Sequence, residues 1–88
     1  MERIIEKQVI QSSLAQFIAS NILNNPERNI DGSARLISGG LLDSFSLMDL
    51  TLFIESEWNV RLENTELNQE AFDNLDDLSN LILQKLQK

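Results

Sequence analysis

The sequence predicts an all-α fold: a small antiparallel four-helix bundle, with three main helices, one short helix and a long loop between helices 1 and 2. Three observations predict it. Apolar residues recur at helical spacing in three separate segments. A single proline and three glycines leave those segments free to be helical. Finally, 88 residues, of which 42% are hydrophobic, are enough for one modest core, so residues 1–88 are predicted to form a single domain.

The first helix is predicted from about Glu2 to Leu23. Its apolar residues recur along one face: Ile10, Leu14, Phe17, Ile18 and Ile22. Pro26 disfavours helical geometry at Asn25, which ends the helix. A loop is predicted from about Pro26 to Leu42, and a loop of that length in a compact domain is uncommon unless it has a function.

The second helix is predicted from about Asp43 to Glu57, with Trp58 in or beside the core. One stripe of this helix faces inward: Leu47, Leu50, Thr51, Ile54 and Trp58. A short helical turn is expected near Glu66–Phe72, anchored by Leu67 and Phe72.

The last helix is predicted from about Leu75 to Leu86, after an Asn74-x-x-Asp77 start that resembles a capping box. The polar residues at this start could suggest a cation site: Asp73, Asn74, Asp76 and Asp77. Their spacing lacks the glycine and the distal glutamate of a calcium loop. We interpret them as a cap followed by a solvated helix start, and predict no metal site.

The chain contains neither cysteine nor histidine. It therefore lacks a disulfide framework, a thiolate metal site, the commonest general base and the usual activator of a nucleophilic serine. The Gly-x-Ser-x-Gly motif of hydrolases and a glycine-rich phosphate loop are absent too. We predict that the chain is not an enzyme.

The net charge of −7 is unevenly distributed. Residues 1–40 hold four acids and four bases, whereas residues 41–88 hold ten acids and three bases. Such a surface repels nucleic acid and anionic lipid and attracts basic patches of other proteins, although ordinary solubilising charge is the alternative interpretation. No apolar run approaches the roughly 20 residues of a membrane span, and Met1–Lys7 is too charged for a secretory segment. We expect a cytoplasmic monomer that binds no nucleic acid and does not insert into membranes.

The most informative segment is Gly40-Leu41-Leu42-Asp43-Ser44-Phe45. Asp43 is a preferred N-cap residue for the second helix. Ser44 would then lie exposed in the first turn, where the helix dipole and unpaired N–H groups favour a negative group. This position suits a covalently attached phosphodiester. Taken alone, however, an Asp-Ser pair at a helix start is usually only a cap.

A second face of the same helix is predicted to point outward. Met48 and Leu52 lie three and seven residues after Phe45, and all three are offset from the buried stripe. Asp49 and Glu55 flank them. Exposed contiguous apolar residues tend to mark interaction sites, so we predict that these five residues bind a partner. The alternative is that the helix is simply buried on two sides.

Three segments carry a family resemblance: Leu36-x-x-x-Gly40-Leu41-Leu42-Asp43-Ser44-Phe45-x-Leu47-x-x-Leu50, Ile54-Glu55-Ser56-Glu57-Trp58-Asn59-Val60 and Phe72-Asp73-Asn74-Leu75-Asp76-Asp77-Leu78. Together they resemble the acyl carrier protein superfamily over essentially the whole chain. The resemblance implies 4′-phosphopantetheine on Ser44, attached from coenzyme A by a phosphopantetheinyl transferase. It also implies an adenylating or acyl-activating ligase that loads the carrier with a thioester-bound cargo, and a downstream acyl- or aminoacyl-transferring enzyme.

The variant of the motif bears on the kind of carrier. Fatty-acid carriers usually have Asp-Ser-Leu-Asp, where this chain has Asp43-Ser44-Phe45-Ser46. The Leu-Leu-Asp-Ser-Phe version resembles stand-alone D-alanyl and related aminoacyl carriers, although their usual proline near Asn74 is missing. We expect a carrier of that type or of a specialised biosynthetic pathway. The alternative is an acidic, cofactor-free helical interaction module.

Overall fold

The structure, a computed structural model, describes residues 6–86. Three α-helices follow one another along the chain: α1 (Lys7–Phe17), α2 (Ser44–Trp58) and α3 (Leu75–Leu86). A π-helical segment, Ile18–Ile22, continues α1, and a 3-10 helix, Asn64–Glu66, lies between α2 and α3. Residues 6–86 contain no β-strand, which confirms the all-α prediction.

One hydrophobic core joins the three helices and both connections between them. Its fully buried members include Ile10 and Leu14 of α1, Leu50 and Ile54 of α2, and Leu75, Leu78 and Ile82 of α3. α1 packs directly against α3. The radius of gyration is 12.3 Å, close to the ~12 Å expected of a compact chain of this length. No helix within residues 6–86 has the length and apolar character needed to cross a membrane.

The first helix differs from its prediction within the described residues. The predicted helical residues Glu2–Ile5 lie outside them, but Glu6 is extended and α1 begins at Lys7. At the other end the helix widens, since the Leu23 N–H donates to the Ile18 carbonyl at 2.8 Å, five residues back. Asn24 then takes a positive φ of 55°, and the helix has ended before Pro26. Asparagine tolerates this left-handed conformation better than most residues.

Phe53 links the end of α1 to the second half of α2. Its ring stacks on Phe17, with centroids 4.3 Å apart, and meets Trp58 edge-on at 5.8 Å. Each such pair contributes about 0.5–1.5 kcal/mol beyond simple burial. Trp58 is half-buried, as predicted. Phe53, which the predicted inward stripe omits, is the residue that joins these aromatic rings.

The short helix lies earlier than predicted. The expected turn at Glu66–Phe72 is replaced by the 3-10 helix Asn64–Glu66, which begins with a capping box in which the Glu63 N–H donates to Glu66 Oε1 at 2.9 Å. The Asn68 side chain then accepts from the Glu70 and Ala71 N–H groups, at 2.9 and 3.0 Å. Such side-chain bonds compete with helical bonding and hold the chain in turns. The predicted anchors are nonetheless in place, because Phe72 is fully buried and Leu67 packs against the core.

α3 has the predicted bounds, Leu75–Leu86. The predicted cap is also present, since the Asp77 N–H donates to Asn74 Oδ1 at 2.7 Å. Near the other end of α3, Lys85 pairs with Glu66 of the 3-10 helix at 3.0 Å. The Asn74 cap positions the start of α3, which lies close to the segment before α2.

Candidate functional site

The start of α2 is organised by Asp43. This residue has an extended backbone, and its Oδ1 accepts from the Ser46 N–H at 2.8 Å, so the predicted N-cap is confirmed. The Ser46 N–H and then the Ser46 hydroxyl lower the pKa of the Asp43 carboxyl below its ordinary value of 3.8. An ionised cap stabilises the helix because it lies at the positive end of the helix dipole.

Ser44 is the first residue of α2, and it is exposed. The first backbone hydrogen bond of the helix spans Ser44, since the Leu47 N–H donates to the Asp43 carbonyl at 2.9 Å. A chain without histidine or cysteine offers Ser44 no ordinary activating base. Ser44 therefore presents an exposed hydroxyl at the capped start of a helix.

The outer face of α2 is apolar and exposed. Phe45 is 82% exposed, Met48 61% and Leu52 63%, whereas Leu47, Leu50 and Ile54 on the inner face are buried. Asp49 and Glu55, which were predicted to flank the apolar residues, are also exposed. The alternative interpretation, burial of α2 on two sides, is therefore wrong for these side chains. Their predicted role in binding a partner stays a prediction.

Open grooves border this apolar face on both sides. One of about 460 Å³ lies towards α1 and is lined by Phe17, Asn21, Asp49, Leu52, Phe53 and Ser56. The other, of about 310 Å³, lies towards the chain after α2 and is lined by Thr51, Leu52, Glu55, Arg61 and Leu62. Leu52 lines both grooves, so it lies between them on the outer face of α2.

Residues 36–42, just before the cap, fold back on themselves. The Leu42 N–H donates to the Leu36 carbonyl at 2.8 Å, and the Gly40 N–H donates to the Ile37 carbonyl at 3.2 Å. Leu36 and Leu42 are both buried, which attaches the two ends of this segment to the core. Gly40 has a φ of +82°, which a side-chain-bearing residue rarely adopts. The glycine of the motif is thus required by the backbone.

Asp73, which lies just before α3, accepts hydrogen bonds from the beginning of the same segment. Its Oδ1 accepts from the Ile37 and Ser38 N–H groups, at 2.8 Å each, and its Oδ2 accepts from the Ser38 hydroxyl. Its carbonyl accepts from the Leu36 N–H at 2.6 Å. The Ser38 hydroxyl contributes most to lowering the pKa of the Asp73 carboxyl, followed by the Ser38 N–H.

These contacts correct the prediction for Asp73. The sequence predicts that Asp73 belongs to a solvated helix start, but its carboxylate accepts hydrogen bonds from residues 35 and 36 positions earlier. The sequence signal that could have marked Asp73 is its place between the core anchor Phe72 and the α3 cap Asn74. The neighbouring Asp76 forms an ion pair with Lys7 at 3.7 Å. Within residues 6–86, no three acidic side chains converge as a metal site would require.

No protein-family model matches this chain, and no curated protein matches it significantly. The resemblance to acyl carrier proteins therefore stays a prediction carried by the residues themselves. The geometry around Ser44 and the outer face of α2 are the observations on which a function can be argued.

Proposed function

We propose that this chain is an acyl or aminoacyl carrier protein with 4′-phosphopantetheine on Ser44. The observation that carries the proposal is the position of Ser44: exposed, first in α2, and directly after the Asp43 cap, in a segment that resembles the carrier attachment motif. When bound, the group would supply a terminal thiol that holds the cargo as a thioester, a function for which a chain without cysteine has no residue of its own.

The site fits a phosphodiester on electrostatic and steric grounds. The start of an α-helix favours a negative group by about 0.3–1 kcal/mol at an exposed position. The nearest acid, Asp43, turns its carboxylate to the Ser46 N–H. Because Ser44 is exposed to solvent, the modifying enzyme can reach it and the attached arm can move.

The attachment itself is a substitution at phosphorus. Ser44 Oγ would form an ester bond to the pantetheine-bearing phosphorus of coenzyme A while the bond between the two phosphates breaks. Adenosine 3′,5′-bisphosphate would leave, and the hydroxyl proton would pass to a base on the transferase. Ser44 needs only exposure for this step, because the transferase supplies the base.

The outer face of α2 supports a carrier that is handled by other enzymes. Its exposed apolar residues are flanked by Asp49 and Glu55, so a complementary partner presents an apolar pocket surrounded by basic side chains. The flanking charges would raise the rate of encounter more than the final affinity. We propose that the partners are the transferase, an adenylating or acyl-activating ligase and an acyl- or aminoacyl-transferring enzyme.

The motif variant favours a D-alanyl or other aminoacyl cargo, or one from a specialised biosynthetic pathway. The proposed carrier is a cytoplasmic monomer. Its bundle would consist of α1, α2, α3 and the 3-10 helix Asn64–Glu66, with residues 24–43 as the long connection. Because a small bundle offers only open grooves, an amino acid would remain accessible on the arm.

The test is the intact mass of the protein after incubation with coenzyme A and several phosphopantetheinyl transferases. Wild type should gain one phosphopantetheine, Ser44→Ala should gain none, and Ser46→Ala, which removes the neighbouring hydroxyl, should gain one. Absence of any gain in folded wild type, or a gain in Ser44→Ala, would overturn the proposal. The exposed face of α2 would then favour the cofactor-free interaction module.

A further inference from the structure

We propose that Asp73 is a positioning residue for the modification of Ser44: it holds residues 36–42 in place, so that the modifying enzyme meets the surface around Ser44 already formed. This inference rests on the proposed function, but it concerns a residue that lies 29 positions from the serine. Asp73 does not touch the reacting atoms. It acts through the backbone that leads into α2.

The first step is the attachment of the segment to Asp73. Three successive residues, Leu36, Ile37 and Ser38, direct their backbone N–H groups to Asp73, two to Oδ1 and one to its carbonyl. The Ser38 hydroxyl adds a bond to Oδ2. Hydrogen bonds to an ionised carboxylate are shorter and stronger than those to neutral acceptors. The beginning of the segment is therefore held by several bonds to one residue.

The second step leads from Ser38 to Ser44. Only five residues separate them, and two are glycines, whose backbone samples many conformations when unrestrained. The Leu36 carbonyl accepts from the Leu42 N–H, which returns the chain to the place where Asp73 holds it. Asp43 follows at once and caps α2. Holding Leu36 thus restricts the positions of Gly40, Leu41 and Leu42, which lie next to Ser44.

The third step is that the residues on both sides of Asp73 are anchored in the fold. Phe72 before it is fully buried, the Asn74 side chain after it caps α3, and Leu75 is fully buried. The carboxylate therefore belongs to a part of the chain that buried neighbours hold on both sides, and it accepts from a segment that is followed by two glycines. An acceptor anchored in this way can order a flexible segment, whereas a loosely held one would move with it.

The expected consequence is a change in KM rather than in kcat. If the segment loses its attachment, only a fraction of the molecules present the arrangement that the transferase binds, and the apparent affinity falls by that fraction. Once bound, Ser44 reacts as before. A residue with a purely structural role would instead lower the melting temperature and leave the KM of the folded protein unchanged.

The test compares Asp73→Ala with Asp77→Ala. Both remove one negative charge at the start of α3. Asp77, however, is exposed, and it contributes to the Asn74 cap through its backbone N–H, which the alanine variant keeps. With a phosphopantetheinyl transferase and coenzyme A, Asp73→Ala should raise the KM for the protein about tenfold, as expected if about a tenth of the molecules are competent. Its kcat should stay within about twofold, and Asp77→Ala should match wild type in both constants.

Amide hydrogen exchange supplies a readout that does not depend on modification. Asp73→Ala should speed exchange of the Ile37 and Ser38 N–H groups at least about tenfold, with no change in α1. Asp73→Asn keeps one acceptor oxygen and should give a smaller rise in KM, and Ser38→Ala removes only the hydroxyl bond. These two variants carry the test if Asp73→Ala does not fold.

Each outcome decides the proposal. A raised KM together with faster local exchange supports it, and a raised KM without faster exchange at Ile37 and Ser38 overturns it. Wild-type KM in every variant at Asp73 and Ser38, while Ser44 is still modified, overturns it and leaves the proposed function intact. If wild type itself is not modified, the proposed function fails and this inference fails with it.

Discussion

Two segments of this chain pair an aspartate with a phenylalanine at the start of a helix, and they use them in opposite ways. In Asp43-Ser44-Phe45 the ring is 82% exposed and the carboxylate bonds a backbone N–H three residues away. In Phe72-Asp73 the ring is fully buried and the carboxylate bonds residues 35 and 36 positions earlier. The first segment can form by itself when α2 forms. The second exists only after the core has assembled, because its partners come from another part of the chain.

The two phenylalanines give the largest expected difference. Phe72→Ala should destabilise the domain by about 3–5 kcal/mol, because it removes a fully buried ring and leaves a cavity. Phe45→Ala should change the free energy of unfolding by less than about 0.5 kcal/mol, since the ring is exposed. Urea unfolding of both variants measures this difference. Similar losses in the two variants would mean that the segments do not differ in the way described.

The same substitution at Phe45 should instead affect binding. If the outer face of α2 docks the transferase, Phe45→Ala and Met48→Ala should each weaken the interaction by more than about 1 kcal/mol, which is at least about fivefold in KM. Val9→Ala is the matched control, because Val9 is an exposed apolar residue of α1, 54% exposed. Equal effects at Val9 and Met48 would place the docking surface elsewhere.

The two aspartates should give a smaller effect that depends on pH. Folding lowers the pKa of both carboxyls below the ordinary value of 3.8, because both accept hydrogen bonds in the folded state. The unfolded chain therefore binds these protons more tightly, so the stabilisation is fully present above about pH 4 and is lost as the pH falls through the folded pKa values. The melting temperature should fall with pH in this acid range.

Replacing each aspartate in turn shows how much of the pH dependence of the melting temperature comes from each site. Asp73→Asn should remove more of this pH dependence than Asp43→Asn, since the backbone N–H groups of two residues, Ile37 and Ser38, donate to the Asp73 carboxylate, whereas only that of Ser46 donates to the Asp43 carboxylate. Thermal unfolding followed from pH 6 downwards measures it, with Asp77→Asn as the control for charge. A larger effect at Asp43 would show that the local cap is the stronger of the two sites.

Much of the local structure could be predicted from the sequence. The cap at Asp43, the cap at Asn74 and the bounds of α3 depend on residues within one turn of each other, and all three are found. Spacing alone placed Phe45 off the buried stripe, because a helix displays its residues at a constant angle, but the structure decided that this second face is exposed. The short helix was misplaced because the Asn68 side chain bonds to the following backbone, a competition that apolar spacing does not reveal.

The sequence by itself determined the helical class, the burial of Leu47, Leu50 and Ile54 in α2 and the position of Ser44 at a capped helix start. Each of these depends on contacts between near neighbours in the chain, which any reader of the sequence can enumerate. Only the tertiary structure decided that Phe53 stacks on Phe17 and that Asp73 holds residues 36–42. Those contacts join residues 35 or 36 positions apart, and many other pairings at that separation are equally compatible with the sequence. Packing of the core selects among them, because it brings α3 and the segment before α2 to one place.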